Sequence, residues 1–152
     1  MNILILTICL TLLAFIAMAV KRVPLGQVYS LYRHGKPMRL LQPGTHMVLP
    51  LLDRVAHRID LGGRVLHFQE PLASAHDVRG TVYWQVLEPE RADAVIEQAD
   101  QLIRRGALDA LREEAEIANV DSREMSAHLK QTLNGTLRER GVMVTRVELE
   151  FA

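Results

Sequence analysis

A single cysteine, Cys9, stands in a chain of 152 residues, so no intramolecular disulfide can form and the fold has to be held by burial alone. Net charge is also missing. The 18 Lys and Arg balance the 18 Asp and Glu, with the two signs interspersed, which leaves no electrostatic footprint for a nucleic acid. There is no G-x-S-x-G elbow, no Walker loop, no G-x-G-x-x-G, and no cysteine and histidine pair to act as nucleophile and base. The histidines, His34, His46, His57, His67, His76 and His128, fall at no metal-ligand spacing. Ser74, His76 and Asp77 are neighbours in sequence, but a hydrolytic triad is assembled across a pocket and not along a linker. These absences predict no catalytic residue, no cofactor and no metal.

The first twenty residues lack charge altogether. From Ile3 to Val20 every residue is Ile, Leu, Val, Ala, Phe, Met, Cys or Thr, and the run stops at Lys21-Arg22. Wound as a helix rising about 1.5 Å per residue, it reaches across most of a ~30 Å hydrocarbon layer. The expectation is a transmembrane anchor over residues 1–22, with Ile3, Leu4, Ile5, Leu6, Ile8, Leu10, Leu12, Leu13, Phe15, Ile16, Met18 and Val20 as its membrane-spanning side chains. Cys9 within it reads as a small apolar residue, with acylation as the alternative. A cleaved signal peptide is the competing reading, because Ala17-Met18-Ala19 has the small-x-small form of a cleavage site. Met1-Asn2 supplies no basic n-region, however, and the apolar run is longer than a signal core. Lys21, Arg22 and Arg33 all follow the run, which predicts a single pass with the N-terminus outside and the soluble part in the cytoplasm.

Beyond residue 20, charged residues make up roughly a quarter of the chain, the ordinary share for a globular domain, and residues 23–152 are expected to form one α+β domain with a twisted, mostly antiparallel sheet and packed helices. Val23-Pro24-Leu25-Gly26 predicts a turn. Gln27 to Arg33 predicts a strand, with Val28, Ser30 and Tyr32 on one face and Tyr29 and Leu31 on the other. His34 to Pro37 is its turn, and Met38 to Leu41 returns. After Gln42-Pro43-Gly44 comes a dense apolar patch, Met47, Val48, Leu49, Leu51 and Leu52, whose Pro50 excludes a central strand or a helix interior. It reads either as a loop packed over the core or as a membrane-contacting loop beside the anchor.

Arg54 to Leu61 and Arg64 to Gln69 alternate around Gly62-Gly63 and predict a hairpin. Pro71 to His76 is a linker, and Val78 to Leu87 is the most strand-like segment. From Pro89 the period becomes helical through Ala92, Val95, Ile96, Ala99, Leu102 and Ile103; Gly106 separates this from a second run, Ala107 to Ala118. Asp121 and Glu124 have capping-box spacing, and Met125, Leu129, Leu133 and Leu137 form a stripe meant for the sheet. Gly141 ends that helix, and Val142 to Phe151 predicts a last strand, with Val142, Val144, Val147 and Leu149 alternating. Asn134-Gly135-Thr136 fits a glycosylation acceptor only by accident, since it falls inside this helix in a domain expected in the cytosol.

The order of parts resembles the SPFH or band 7 family of stomatins, prohibitins and flotillins, and local phrases carry the resemblance. Tyr32-Arg33-His34-Gly35-Lys36 is similar to the Arg-Phe-Gly-Lys turn of stomatin-like proteins, and Leu41-Gln42-Pro43-Gly44-Thr45-His46 with Pro50 and Asp53-Arg54-Val55 is similar to their Pro-Gly-Leu-His loop. Trp84-Gln85-Val86-Leu87-Glu88-Pro89 resembles their Tyr-Arg-Val-x-Asp-Pro junction, and Leu133-Asn134 with Gly141 to Glu148 resembles their Leu-Asn helix and closing strand. The resemblance covers Val23 to about Glu150 and is to a short form, because members usually continue past the closing strand into a long Ala/Glu-rich assembly helix while this sequence stops at Ala152. Asp77 to Val82 also looks shorter than the family's hairpin.

The resemblance implies a non-catalytic, membrane-anchored scaffold that contacts the lipid bilayer and organises membrane patches or regulates a neighbouring membrane protease or channel. It also implies assembly, as a homo-oligomer or with longer relatives, and a short subunit that binds full-length relatives is the alternative. A membrane-tethered hydrolase and an exported domain are the remaining readings.

Overall fold

The structure, a computed structural model, describes residues 1–71, 77–115 and 121–151. The expectations placed on Ser74 and His76, on most of the linker, and on the helical run beyond Ala115 lie outside the described residues. The chain divides into two compact units, Met1–Asp60 and Leu61–Ala152.

The first unit begins with α1, Asn2–Ala19. Its Thr7 and Thr11 hydroxyls return hydrogen bonds to carbonyls three and four residues back, so the polar atoms of an otherwise apolar helix are satisfied internally. The helix stops one residue before the apolar run does. Val20 is already extended (φ −83°, ψ 121°) and opens β1, Val20–Val23, a strand that the hydrophobic run conceals in the sequence. The turn at Pro24 to Gly26 forms as expected, closed by the Gln27 N–H donating to the Pro24 carbonyl at 3.3 Å. Next come β2, Gln27–Arg33; β3, Lys36–Leu41; β4, Gly44–Met47; and β5, Asp53–Asp60. His34-Gly35 makes the two-residue turn between β2 and β3, with positive φ at both positions as a primed hairpin turn requires.

All pairings here are antiparallel, but they make two small sheets, β1-β4 and β3-β2-β5. Register shifts at Ser30/Leu31 against β5 and at Leu31/Tyr32 against β3 break the expected alternation of β2. As a result Val28, Ser30 and Leu31 are all buried and Tyr32 is not, because a bulge resets which side chain faces inward. Val23, Leu31, Leu41 and Val48 form the core of this part, with Tyr29 and Val55 packed against it.

The second unit holds one sheet, β6-β7-β8, made of β6, Arg64–Pro71; β7, Asp77–Val86; and β8, Val142–Phe151. The expected β5–β6 hairpin does not form: β5 pairs with β2 and β6 with β7, so Gly62-Gly63 joins strands of different sheets. The single expected sheet is thus three antiparallel ones. In β7 every second residue from Val78 to Val86 is buried, and Val142, Val144, Val147 and Leu149 of β8 face the same core. The three-residue step from Val144 to Val147 comes from a register shift opposite Tyr83/Trp84 that leaves Thr145 as the extra residue.

The helices are α2, Pro89–Ala92; a 3-10 turn, Ile96–Gln98; α3, Ala99–Ala115; and α4, Ser122–Leu137. The expected helix from Pro89 breaks after one turn, and the expected interruption at Gly106 is absent, with α3 running through it. The reason lies in packing: a Cβ at Gly106 would sit 2.9 Å from Leu133 Cδ2, so glycine lets α4 approach α3 closely. Met125, Leu129, Leu133 and Leu137 are buried as the stripe predicts. The capping box does not form; Asp121 stands at the N-cap position of α4 without a side-chain bond to the helix.

Candidate functional site

α1 and the segment after β4 are joined through the backbone. The β1–β4 ladder sets Val20 opposite Met47 and Lys21 opposite His46, and immediately beyond it the Val48 N–H donates to the Ala19 carbonyl at 2.8 Å. The last turn of the apolar helix therefore holds the start of the apolar loop. Of the side chains expected to span a membrane, all from Ile3 to Met18 and Val20 are exposed, and α1 buries only Ala19. α1 is long and apolar enough to cross a membrane by length and composition.

The loop splits the five residues singled out in the sequence. Val48 is 5% exposed and sits in the core cluster, so it cannot contact lipid in this arrangement. Met47, Leu49, Leu51 and Leu52 are exposed, Leu51 at 86%. Leaving so much apolar surface in water at the tip of a turn costs stability, at about 25 cal/mol per Å², unless something covers it.

Asp53 builds the turn that presents these side chains. Its Oδ2 accepts from the Leu49 N–H at 3.0 Å, while the Leu49 carbonyl accepts from the N–H groups of Leu52 at 3.1 Å and Asp53 at 2.8 Å. Asp53 is fixed in turn by Arg33, whose Nε donates to Oδ1 at 2.7 Å. The Arg33 hydrogen bond, then the Leu49 N–H, hold the Asp53 carboxyl below the usual carboxylate range. Reading the sequence missed this pair, although an aspartate four residues after Leu49 is a common way to close such a turn.

Around the loop lies a shallow groove lined by Met18, Tyr29, Val48 and Pro50 with Lys21, Arg54 and Arg58. The Arg58 guanidinium stands 5.4 Å from the centre of the Tyr29 ring, and Arg39 Nη2 donates to the Met47 carbonyl at 3.0 Å. An exposed apolar helix, an exposed apolar turn bonded to its end and a fringe of cations form the amphipathic arrangement that suits a membrane interface.

Among the described residues the histidines form no cluster. His46 Nε2 lies 2.7 Å from the Gln42 carbonyl, His57 stacks edgewise on Tyr32, His67 Nδ1 lies 3.1 Å from Thr81 Oγ1, and His128 meets Glu114. Among the described residues no group of His, Cys, Asp or Glu could hold a metal ion.

Comparison with known proteins bears on the same residues. The sequence pattern described as SPFH domain / Band 7 family matches residues 21–150. The chain belongs to that family. The SPFH match starts where α1 ends, and it runs through both compact units. An uncharacterized protein of Schizosaccharomyces pombe is 26% identical over 140 residues, covering 86% of this chain and 40% of that protein. The mitochondrial stomatin-like protein 2 of Homo sapiens and that of Rattus norvegicus are each 22% identical over 138 residues, covering 84% of this chain and 39% of theirs. The chain thus spans about two fifths of the length of these SPFH relatives.

Proposed function

We propose that this chain is a membrane-anchored, non-catalytic scaffold of the SPFH family, which crosses the bilayer once through α1 and rests the turn from Leu49 to Leu52 in the interface beside it. Family membership supports the scaffold role in general terms. The observation that carries the membrane reading is the backbone bond from Val48 to Ala19, which fixes three exposed leucines next to the end of an exposed apolar helix. Retention of α1 fits the same bond, since cleavage after Ala19 would remove the carbonyl that Val48 uses. Lys21 and Arg22 directly follow the helix, which supports a cytoplasmic location for the remainder. The scaffold organises a patch of membrane or holds a neighbouring membrane protein, such as a protease or channel, and assembles with its own copies or with longer relatives.

The deciding experiment is depth-resolved quenching. With Cys9→Ala as background, a fluorophore at Leu51→Cys in the full chain in liposomes should be quenched by lipids labelled near the glycerol level, and one at Asp60→Cys, at the other end of β5 from the turn, should not. Equal quenching at both positions, or at neither, rejects the loop contact; release of the chain by alkaline carbonate rejects the anchor.

A further inference from the structure

β8 has a strand on one side only: it pairs with β7, and no described strand lies along its other edge. That open edge forms one wall of a groove whose other wall is α4. Six consecutive residues of the strand, Thr145 to Glu150, line the groove opposite Ser122, Arg123, Ser126, Ala127 and Lys130. Side chains of a strand alternate between faces, so a wall built from consecutive residues is the edge of the strand and not one of its faces.

Asn134 closes one end. Its carboxamide takes both the N–H and the carbonyl of Val144, as a neighbouring strand would. No other side chain among the described residues does the same for Arg146 to Glu150. The helical wall is low there, since Ser122, Ser126 and Ala127 are small, and an added strand needs only the usual spacing of about 4.8 Å. That wall is also basic. Arg123 and Lys130 line it, Arg138 extends it past Asn134, and none of the three has an acidic partner among the described residues. On the other lip Glu148 is already engaged by Arg146 at 2.5 Å and by the Tyr83 hydroxyl at 3.3 Å, and Glu150 adds one further carboxylate at the far end. Arg123, Lys130 and Arg146 against Glu148 and Glu150 leave the groove with a small net positive charge, concentrated on the helical wall.

We propose that this groove takes an extended acidic segment of a partner protein, added to β8 as a fourth strand, with its backbone on the open edge and carboxylates on alternate residues meeting Arg123 and Lys130. A second copy of the chain suits the groove less well, because pairing two β8 edges would bring two basic flanks together. The assignment is independent of whether the Leu49–Leu52 turn touches lipid.

Hydrogen exchange on the full chain in a neutral detergent tests this, with a synthetic peptide of about ten residues alternating Glu with Thr or Val as the probe. Expected are protection of the amides between Thr145 and Phe151, binding that weakens with salt, and about a tenfold or greater loss in Arg123→Glu/Lys130→Glu, whose circular dichroism stays unchanged. A peptide of the same sequence with alternate backbone amides methylated should not bind. Equal binding of a Lys-for-Glu peptide, or no protection at millimolar peptide, overturns the proposal. So does protection that grows with protein concentration in the absence of peptide, which would assign the edge to a second copy.

Discussion

Asn134 on α4 grips Val144 on β8 by both halves of its carboxamide: Nδ2 donates to the Val144 carbonyl at 2.9 Å, and Oδ1 accepts from the Val144 N–H at 2.8 Å. The helix is thereby bolted to the backbone of the strand it packs on, at the residue before the bulge at Thr145. The same engagement takes the amide that glycosylation would need.

Loss of this grip should be costly and specific. Asn134→Ala leaves two half-buried backbone groups unmet and should lower unfolding free energy by about 1–3 kcal/mol in denaturant titration. Asn134→Asp should cost at least as much at neutral pH, because a carboxylate oxygen would face the Val144 carbonyl. It should recover in part on acidification, when the protonated acid can donate. A pH-independent Asn134→Asp would show that shape, not the paired hydrogen bonds, matters at this site.

Gly141 carries two constraints at once. It is left-handed (φ 75°), and a Cβ there would lie 2.3 Å from the Glu88 carbonyl oxygen. Its own carbonyl accepts from the N–H groups of Leu87 and Glu88. Gly141→Ala should therefore destabilise by more than about 2 kcal/mol, since a backbone clash adds to the strain. Gly35→Ala shares the left-handed φ with nothing within 4 Å, and it should cost only about 1 kcal/mol in the same titration.

The Asp53 carboxyl is held below its ordinary range by Arg33 and by the Leu49 N–H. A depressed folded pKa means stability that is present above the unfolded value of about 3.9 and is lost as pH falls through the folded value. Thermal melts should show the Leu49–Leu52 turn and its unit weakening as pH drops below about 4. Arg33→Met should reduce that dependence, and an Arg33→Met chain with the same acid profile as the parent would exclude the pair as its source.

Leu51→Asp should leave unfolding free energy within about 0.5 kcal/mol, because the side chain is 86% exposed. A fluorophore at Leu49→Cys in the same chain should nevertheless lose its quenching by interfacial lipid labels. Unchanged quenching would mean that this leucine contributes nothing to lipid contact.

Periodic features were legible in the sequence. The four-residue stripe of α4, the alternation of β7 and the apolar run of α1 each repeat over several turns or residues, and each was placed correctly to within a residue or two. Partner choice was not. Arg54 to Leu61 and Arg64 to Gln69 have hairpin spacing, but only long-range contacts determine that β5 joins β2 while β6 joins β7. The β2 bulge escaped because one extra residue inverts the faces without altering composition. At the candidate site, composition marked the apolar turn, yet it could not separate buried Val48 from exposed Leu49, and Arg33 is too far from Asp53 in sequence for their pairing to be read.

Val20 ends α1 and begins β1, with no intervening residue to act as a joint. A spanning helix adjusts to thicker or thinner lipid by changing its tilt. Without slack at Ala19, a change of tilt in a membrane-embedded α1 would be carried into the β1–β4 ribbon and on to the turn at Leu49, and the turn would then report the thickness of the bilayer. Two or three glycines inserted after Ala19 would act as a clutch, leaving both parts intact and disconnecting the reading.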